Sequence, residues 1–404
     1  MPATPKTLAP RGAQAAPSSA AGDTRRLREL DALVRERFAP RERRLHEQAA
    51  LPLDNLRELH EAGWLRTTLS AALGGADSRL DAGDPATYLQ AVRTVARVSP
   101  GTAHCLQVHN HAAWTLLELG TPEQHALFLA PMRERLFLAS FMGSEPGLKL
   151  GAAAFQTTAR ALGGGEWSVS GRKYYATNGL RHGLGIVFAS LEGVQGLQHN
   201  HQMVIVTPDL PGVHEDADWY RPGGMRVAYS PQVVLEGVRV PRSHLLGAPG
   251  AYVGGRWQGR FHLGFAANYL GTAEGAYDWT LDWLRAFPEK VADPFVQAHV
   301  GEARVRLHAA QAAFERAIVD WTRHDAVDAE LSSMAAKSTC ASAAQDVLQR
   351  LLRLVGSTAL FDEHPLGRLG RDLQTHILHV GHDRTHQTLG QAALGEAFDS
   401  TRQK

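Results

Sequence analysis

The sequence predicts an α+β protein, mostly α-helical, in which a middle antiparallel β domain separates two helical parts. Apolar residues recur at the spacing of one helix face in the first third of the chain and again in its last two-fifths. Between them lie short segments of aromatic and β-branched residues, divided by glycine turns. With 404 residues, the chain is also too long for one ordinary domain. We therefore expect an N-terminal helical domain over 25–135, the β domain over 136–247 and a C-terminal four-helix bundle over 248–404.

The N-terminal domain follows an opening stretch of biased composition. Residues 1–24 are rich in Ala, Pro and Ser and lack an apolar core segment, so we expect a disordered tail rather than a signal peptide. Leu27, Leu30 and Leu33 then recur at helix spacing. Residues 99–101, Ser-Pro-Gly, mark the boundary between two further helices.

The middle domain is predicted from a series of short strands separated by turn residues. The glycines at 163–165 and Gly171 supply turns, and no long helix intervenes, which favours antiparallel pairing. The segments that we interpret as strands are Leu136–Phe141, Phe155–Leu162, Trp167–Ser170, Lys173–Thr177, Ile186–Ala189, Met203–Thr207 and Gln232–Leu235.

The C-terminal bundle is predicted from long amphipathic stretches. The clearest runs from Leu331 to Val355, where apolar or small residues repeat at i, i+3 and i+4. Two more helices are expected over Tyr252–Leu284 and Pro294–Trp321, and a fourth from about Leu369. Four such helices form a bundle.

The last part of this bundle concentrates side chains that can carry chemistry. Pro365 leads to Arg368 and Arg371, and a planar guanidinium can grip two oxygens of an anion such as phosphate. Histidine can give or take a proton near neutral pH. A helix-period run of histidines follows the arginines: His376, His379, His382 and His386. An anion-binding group close to a proton-handling group is what an enzyme with a phosphorylated cofactor requires.

Charge and composition exclude several classes of partner. Lys+Arg 42 against Asp+Glu 41 leaves a net charge of +1, so no nucleic-acid partner is expected. No apolar run approaches the roughly 18 residues of a membrane span. Cys105 and Cys340 lie far apart, without metal or redox spacing, and suit a reducing cytoplasm. The expected protein is cytoplasmic and binds neither nucleic acid nor membranes.

The histidines also raise the question of a metal. His379, His382 and His386 fall on one face of the predicted helix, but no nearby cysteine or suitably spaced carboxylate completes a ligand shell. We therefore expect no metal site, with His382 and His386 exposed or bridging the bundle. His104, His109 and His111, on the helix after Pro100, are interpreted as structural, with a position facing the substrate cavity as the alternative.

Three motifs together resemble the acyl-CoA dehydrogenase superfamily of flavoproteins. They are Ser144-Glu145-Pro146-Gly147, Ala176-Thr177-Asn178-Gly179 and Arg371-Asp372. The resemblance covers roughly residues 25 to 395 and implies a flavin between the β domain and the bundle of a homotetramer. Hydroxyl and N–H groups can bond the polar edge of the flavin ring while an aromatic covers its face. By resemblance, the residues against that ring are Phe141, Ser144, Tyr175, Thr177 and Asn178.

The residues at the family's base positions separate two branches of the superfamily. Dehydrogenase members use a carboxylate to remove the α-proton of an acyl thioester. The resemblance puts that carboxylate at Val380 or, in a second known placement, at Gly259. Neither residue can accept a proton, so ordinary α,β-dehydrogenation would lack its general base. An FAD-dependent acyl-CoA dehydrogenase with a base elsewhere, such as Glu145, is the alternative; a flavin-less relative that keeps the fold is a third.

The segment from Pro365 to His379 resembles the flavin-dependent monooxygenases of this fold, among them 4-hydroxyphenylacetate and dibenzothiophene oxygenases. This resemblance implies a separate reductase that supplies reduced flavin, O2 as co-substrate and a small aromatic or sulfur-containing substrate. It also implies a C4a-hydroperoxyflavin, with His379 and Thr177 as the catalytic residues. Such an intermediate survives only where water is excluded.

Three arginines are candidates for the flavin phosphate: Arg285, Arg368 and Arg371. In the dehydrogenases, the arginine that corresponds to Arg285 precedes a Phe-Gly pair, whereas this chain has Phe287 followed by proline. This departure disfavours binding of the adenine half of FAD. The expected cofactor is therefore a flavin, with FMN favoured and FAD possible.

Overall fold

The structure is a computed structural model, and it describes residues 21–147, 155–379 and 381–398. Most of the segment predicted as a tail, 1–20, lies outside the described residues, and so does Val380. Asp23 caps the first helix, because its carboxylate accepts the backbone N–H groups of Arg25 and Arg26 at 3.2 and 3.1 Å.

The N-terminal part packs around one central helix. Ser99 caps this helix by accepting the Thr102 N–H at 3.3 Å, and Pro100 occupies its first position. Its residues are buried on every side as far as Leu116, so it is an interior helix. The helices are α1 (Thr24–Leu33), α2 (Glu42–Gln48), α3 (Leu53–Glu61), α4 (Thr87–Ala96), α5 (Pro100–Leu119), α6 (Pro122–Gln124) and α7 (Ala130–Glu134). The central helix is α5.

The middle part is a single eight-stranded sheet, in the order β6-β7-β3-β2-β4-β5-β8, with β1 also paired to β4. Its strands are β1 (Leu138–Met142), β2 (Thr158–Gly163), β3 (Glu166–Lys173), β4 (Gly183–Leu191), β5 (His201–Val206), β6 (Val213–Asp216), β7 (Gln232–Pro241) and β8 (Leu245–Leu246). A short helix, α8 (Leu197–Asn200), precedes β5.

The sheet is mixed, which corrects the expectation of a purely antiparallel one. β1 and β2 both run parallel to β4, with Leu138 opposite Gly183 and Thr158 opposite Ser190. Parallel strands need a crossover between them. The β2–β3 hairpin and the turn after it supply that crossover between β1 and β4. The remaining pairs are antiparallel, as predicted.

The C-terminal part is a helical bundle. Its elements are α9 (Ala251–Gly254), α10 (Trp257–Arg285), α11 (Pro288–Val291), α12 (Pro294–Arg323), α13 (Ala326–Val355), α14 (Pro365–Leu378) and α15 (His382–Ala393). α10 and α13 each run antiparallel to α12 and therefore parallel to one another. None of the helices in the described part of the chain combines the length and the apolar composition of a membrane span.

Two of the predicted helices are interrupted. The expected Tyr252–Leu284 helix breaks at Gly254 and Gly255, and Arg256 begins α10 from a left-handed conformation with φ +54°. The run of four histidines is likewise not one helix. α14 ends at Leu378, and α15 starts again at His382 after an extended Gly381. His379 and His382 therefore do not share a helix face.

Candidate functional site

A tight turn follows β3 and carries three of the predicted site residues. Tyr175 and Asn178 have φ values of +59° and +76°, and Gly179 follows at +58°. Residues with positive φ cannot continue a strand, so the predicted strand over Lys173–Thr177 ends at Lys173 instead. The turn leaves Tyr175 43% exposed and Thr177 3% exposed. One side of the turn therefore faces solvent, and the other is buried in the protein.

Asn178 fastens this turn to two neighbouring elements. Its side-chain amide donates to the Cys105 carbonyl of α5 at 3.1 Å and to the Ala139 carbonyl of β1 at 2.9 Å. The Asn178 Oδ1 atom is buried without a donor among the described residues. The Thr177 and Ser230 hydroxyls lie 2.9 Å apart. The turn and the loop that carries Ser230 thus present two hydroxyls and an open acceptor to the interior.

Ser144 lies beside the turn, while Phe141 of β1 packs against other aromatic rings. The Tyr174 N–H donates to the Ser144 carbonyl at 3.0 Å, so Ser144 lies beside the start of the turn. Phe141 is partly buried, and its ring packs 5.2 Å from that of His111 and 5.0 Å from that of Phe188. These centroid distances suit edge-to-face aromatic contacts.

His376 of α14 and His379, which directly follows α14, lie close to α5 and to this turn. The His379 ring lies 5.4 Å from the Tyr175 ring and 6.2 Å from the His104 ring. His104 and His376 are closer still, with centroids 4.7 Å apart, and both contact Phe265 of α10. The structure therefore adds His104 and His376 to the predicted His379. His104 and His376 lie on separate helices, so no spacing in the sequence indicates that they are in contact.

His376 differs from an ordinary core histidine. It is 2% exposed, and neither ring nitrogen has a hydrogen-bond partner among the described residues. Burial, assisted by the charges of His104 and His379, holds its pKa well below the usual range. Unpaired buried nitrogens are rare in folded proteins. His109 provides the contrast, since its ring bonds the Leu65 carbonyl at 2.8 Å and the Ala139 N–H at 2.9 Å.

The predicted phosphate-binding arginines occupy three different environments. Arg368 is buried and points into the protein, towards Glu42 at 3.3 Å, Asp372 at 3.4 Å and the Val98 carbonyl at 3.0 Å. Its guanidinium thus joins α14 to the N-terminal helices. Arg371 is exposed. It lines a cavity of about 750 Å³ between these parts, beside Arg226 and His46.

Arg285 lies far from the turn within one chain. It ends α10, is exposed and pairs with Asp282. Twenty residues of helix separate it from Phe265, a distance of about 30 Å at the usual rise. In a single chain, Arg285 therefore does not share the site of His379.

Glu145, the relocated base of the dehydrogenase alternative, is already engaged. Its carboxylate accepts the Lys173 ammonium at 2.6 Å and the Gln156 and Thr157 N–H groups at 2.6 and 2.9 Å. Burial alone would raise its pKa, but the Lys173 charge and these donors hold the pKa below the usual value. An acid stabilised as a carboxylate, with a side chain 0% exposed, is poorly suited to abstract a proton from a substrate.

A second carboxylate lies beside one of the expected base positions. Glu330 of α13 is fully buried and covers Gly259, where an added Cβ would meet the Glu330 Cγ at 2.5 Å. Arg256 donates to this carboxylate at 2.9 Å. Sequence reasoning did not identify Glu330, because the residues are 71 positions apart and only the helix packing joins them.

Comparison with known families identifies the class of protein. The acyl-CoA dehydrogenase N-terminal domain model matches residues 24–135, and the acyl-CoA dehydrogenase C-terminal domain model matches residues 263–384. The chain belongs to the acyl-CoA dehydrogenase superfamily of flavoproteins, as its motifs predicted.

Its relatives include both branches of this superfamily. The chain is 25% identical over 353 residues to a dibenzothiophene monooxygenase of Mycolicibacterium goodii, covering 80% of this chain and 82% of that one. It is 24% identical over 354 residues to a short-chain acyl-CoA dehydrogenase of Clostridium acetobutylicum, covering 83% and 88%. The FMN-bound structure of TdsC from Paenibacillus sp. A11-2 matches with a TM-score of 0.83 and 22% identity, covering 93% and 99%. The chain is thus a flavin-dependent oxidoreductase by family.

Proposed function

We propose that this protein is a flavin-dependent monooxygenase that uses reduced flavin and O2 to oxygenate a small organic substrate. The observation that carries the proposal is the imidazole cluster of His104, His376 and His379 next to the turn at Tyr175. The sequence, in turn, has Gly259 and Val380 where dehydrogenases of this fold keep their base. Imidazole can hold or pass a proton at neutral pH, whereas valine and glycine cannot.

The residues around the turn fit a flavin ring. Thr177, Ser230 and the open Asn178 Oδ1 offer hydroxyls and an acceptor to a polar ring edge. Tyr175 and Phe141 offer aromatic faces. When bound, reduced flavin supplies the two electrons that activate O2. Thr177 and Ser230 would orient the ring, and His379 would hold a proton at an imidazole nitrogen.

FMN is the form that we favour. Arg371 is exposed on α14 and lines the adjoining cavity, and it is our candidate for the phosphate. Arg285 could reach a flavin only in a second copy of the chain, given its place about 30 Å along α10 from Phe265. We accordingly propose a homotetramer in which Arg285 serves a neighbour's site. A separate reductase would supply the reduced flavin, as in the monooxygenases that the motifs resemble.

One observation favours a second function, an FAD-dependent acyl-CoA dehydrogenase. The buried Glu330 carboxylate packs against Gly259, the position where some dehydrogenases of this fold carry their base. Its bond to Arg256 at 2.9 Å argues against that role, because a neighbouring cation stabilises the carboxylate and weakens it as a base.

Two assays separate these functions. In the first, the protein is mixed with FMNH2 and O2, and the visible absorbance of oxidised flavin is followed. A monooxygenase should delay its return relative to free flavin, because the bound state excludes water. In the second, acyl-CoAs of several lengths are tested with ferricenium as the electron acceptor. Reduction by an acyl-CoA, abolished in Glu330→Gln, together with no delay in the first assay, would contradict the proposal and favour the dehydrogenase. A purified protein that binds no flavin in either form would indicate the non-enzymatic relative.

A further inference from the structure

A second group of buried nitrogen bases crosses the bundle close to His379. Its centre is Lys337 of α13, which is 0% exposed. The Lys337 ammonium donates to the Thr385 hydroxyl of α15 at 2.9 Å. Within the described part of the chain, no carboxylate lies within ion-pair distance of it. Buried lysines are rare unless they are paired.

Two histidines beside Lys337 have open ring nitrogens. His262 of α10 is 0% exposed, and neither of its nitrogens has a partner among the described residues. The Nε2 atom of His382 is also buried without a partner there. Leaving a buried polar atom unpaired costs about 1–3 kcal/mol. Three such nitrogens beside one amine therefore point to a bound ligand as their hydrogen-bond partner.

At neutral pH, the three groups of this cluster are protonated less than they would be in water. Burial lowers the pKa of Lys337 to about 7. Burial, followed by the charge of Lys337, holds the pKa of His262 well below the usual range and lowers that of His382 to about 4. Desolvation disfavours the cationic form of all three groups, and at His382 the Asp383 carboxylate offsets it only in part.

The cluster lies one helical turn from the histidines of the candidate site. His262, Phe265 and Tyr269 follow one another at i, i+3 and i+7 on α10, so they share a face of the helix. Phe265 lies 6.2 Å from the His379 ring, and Tyr269 lies 6.3 Å from the His382 ring. One turn of helix is about 5 Å, which is the length of a small organic molecule.

We propose that His262, Lys337 and His382 bind the oxyanion of the substrate, a carboxylate, sulfinate or sulfonate on a small organic acid. The proposal rests on the proposed function only in placing the reacting end of that molecule near His379. The His262 N–H and the Lys337 ammonium would each donate to the oxyanion, and charge-assisted hydrogen bonds of this kind are strong. The His382 ring already donates to the Ile377 backbone, so its open Nε2 becomes a third donor only when the bound anion draws a proton onto it. The anion brings the missing negative charge, so Lys337 takes up a proton from solvent as the anion binds.

Neutral isosteres test this assignment without any turnover. Isothermal titration calorimetry at pH 8 would compare benzoate with benzamide and methanesulfonate with methanesulfonamide, each in two buffers of different ionisation heat. We expect at least one of the anions to bind at least about tenfold more tightly than its neutral partner, the effect of one charge-assisted hydrogen bond. Uptake of up to about one proton per anion should accompany binding, because Lys337 is mostly neutral at this pH.

Lys337→Met should abolish both the preference for the anion and the proton uptake. Lys290→Met, which changes a lysine at the far end of the bundle, is the matched control and should retain both. Circular dichroism checks folding; methionine replaces a buried amine with an apolar side chain of similar length, so the variant should fold. His262→Phe provides a second, independent variant with the same expected loss.

Three results would overturn the proposal. The first is equal binding of the anion and its neutral partner in both pairs, which includes no binding of either. The second is a preference for the anion that persists in Lys337→Met. The third is proton-linked binding of inorganic phosphate or chloride that is at least as tight as binding of the organic anions. The last result would assign a site for free anions instead. Because no flavin turns over in this assay, each outcome can be told apart from failure of the monooxygenase assignment.

Discussion

The Asp372 carboxylate accepts the backbone N–H of Met225 at 2.6 Å, which joins α14 to the loop between β6 and β7. Met225 has φ +56°, so the bond holds the loop in a left-handed conformation. Five residues further along the same loop, Ser230 bonds Thr177 at 2.9 Å. Asp372 thus connects the helix that ends just before His379 to the loop whose Ser230 bonds Thr177.

Asp372→Ala should therefore lower the free energy of unfolding by about 3 kcal/mol, because it leaves the Met225 N–H and the buried Arg368 short of a partner. Asp372→Asn should cost less, since the amide oxygen can still accept from Met225. Urea denaturation measures both. Asp362→Ala, in an exposed turn, is the control and should stay within about 0.5 kcal/mol of the wild type. Equal stability of the alanine variant and the wild type would contradict this role.

Gly224 tests the close approach of the same loop to α14. A Cβ at this position would lie 2.0 Å from the Arg371 carbonyl oxygen, so Gly224→Ala must separate the loop from the helix. We expect a loss of about 1–3 kcal/mol in unfolding free energy, together with weaker flavin binding. Gly223→Ala is an adjacent control, because its Cβ would meet nothing within 4 Å. Matching flavin affinities in the two variants would show that the contact has no effect on the site.

The Glu145–Lys173 pair predicts a stability that falls in acid. Because the Glu145 pKa is depressed below its ordinary 4.5, the stabilisation is present above that pH and is lost as the pH falls through the lower folded value. Glu145→Gln should cost about 3–5 kcal/mol at pH 7, since Lys173 stays buried and unpaired. The cost should shrink below about pH 4. Glu145→Gln combined with Lys173→Met should recover part of the loss, and a cost that does not change with pH would rule out the charge effect.

Glu42 predicts a pH dependence of the opposite sign. Burial, opposed by the charge of Arg368, raises its pKa to about 7. The folded protein therefore binds a proton that the unfolded chain has already released, and stability is lost as the pH rises from about 4.5 to 7. Glu42→Gln should remove roughly 3 kcal/mol of this slope. Urea denaturation at pH 5 and pH 8 measures it, and an unchanged slope in the variant would contradict the prediction.

His379→Asn tests the proposed proton-holding residue. Oxygenated product should form at least about a hundredfold more slowly, which is the usual contribution of a general acid–base group. Oxygen consumption should continue, with hydrogen peroxide in place of product. His386→Asn changes an exposed histidine on α15 and should behave as the wild type. A His379→Asn enzyme with undiminished product yield would remove this residue from the mechanism.

The order of the three parts was predictable because helix periodicity and glycine turns are local signals. The parallel pairing of β1 with β4 was not, since alternation along a strand indicates which face is buried and not which strand lies next to it. Thr177 and Asn178 were named as site residues because their motif resembles that of a flavoprotein family, and their role stays a prediction.

Other features of the site depend on contacts between distant residues. Arg368 points inward because Glu42, 326 residues earlier, lies within 3.3 Å of it. His104 joins His376 only through the packing of α5 against α14. No pattern within a single segment encodes either contact, so residue type suggested the chemistry while the fold determined which groups meet.

The break between α14 and α15 has a practical consequence. The amine of Lys337 is bonded by Thr385, a residue of the last helix, so loss or displacement of that helix would admit water to it. Its pKa would then return towards the ordinary 10.5. Amine-acylating reagents should modify Lys337 only in molecules whose last helix has come away. The lysine can therefore serve as a built-in reporter when affinity tags or fusion partners are attached at the carboxyl end.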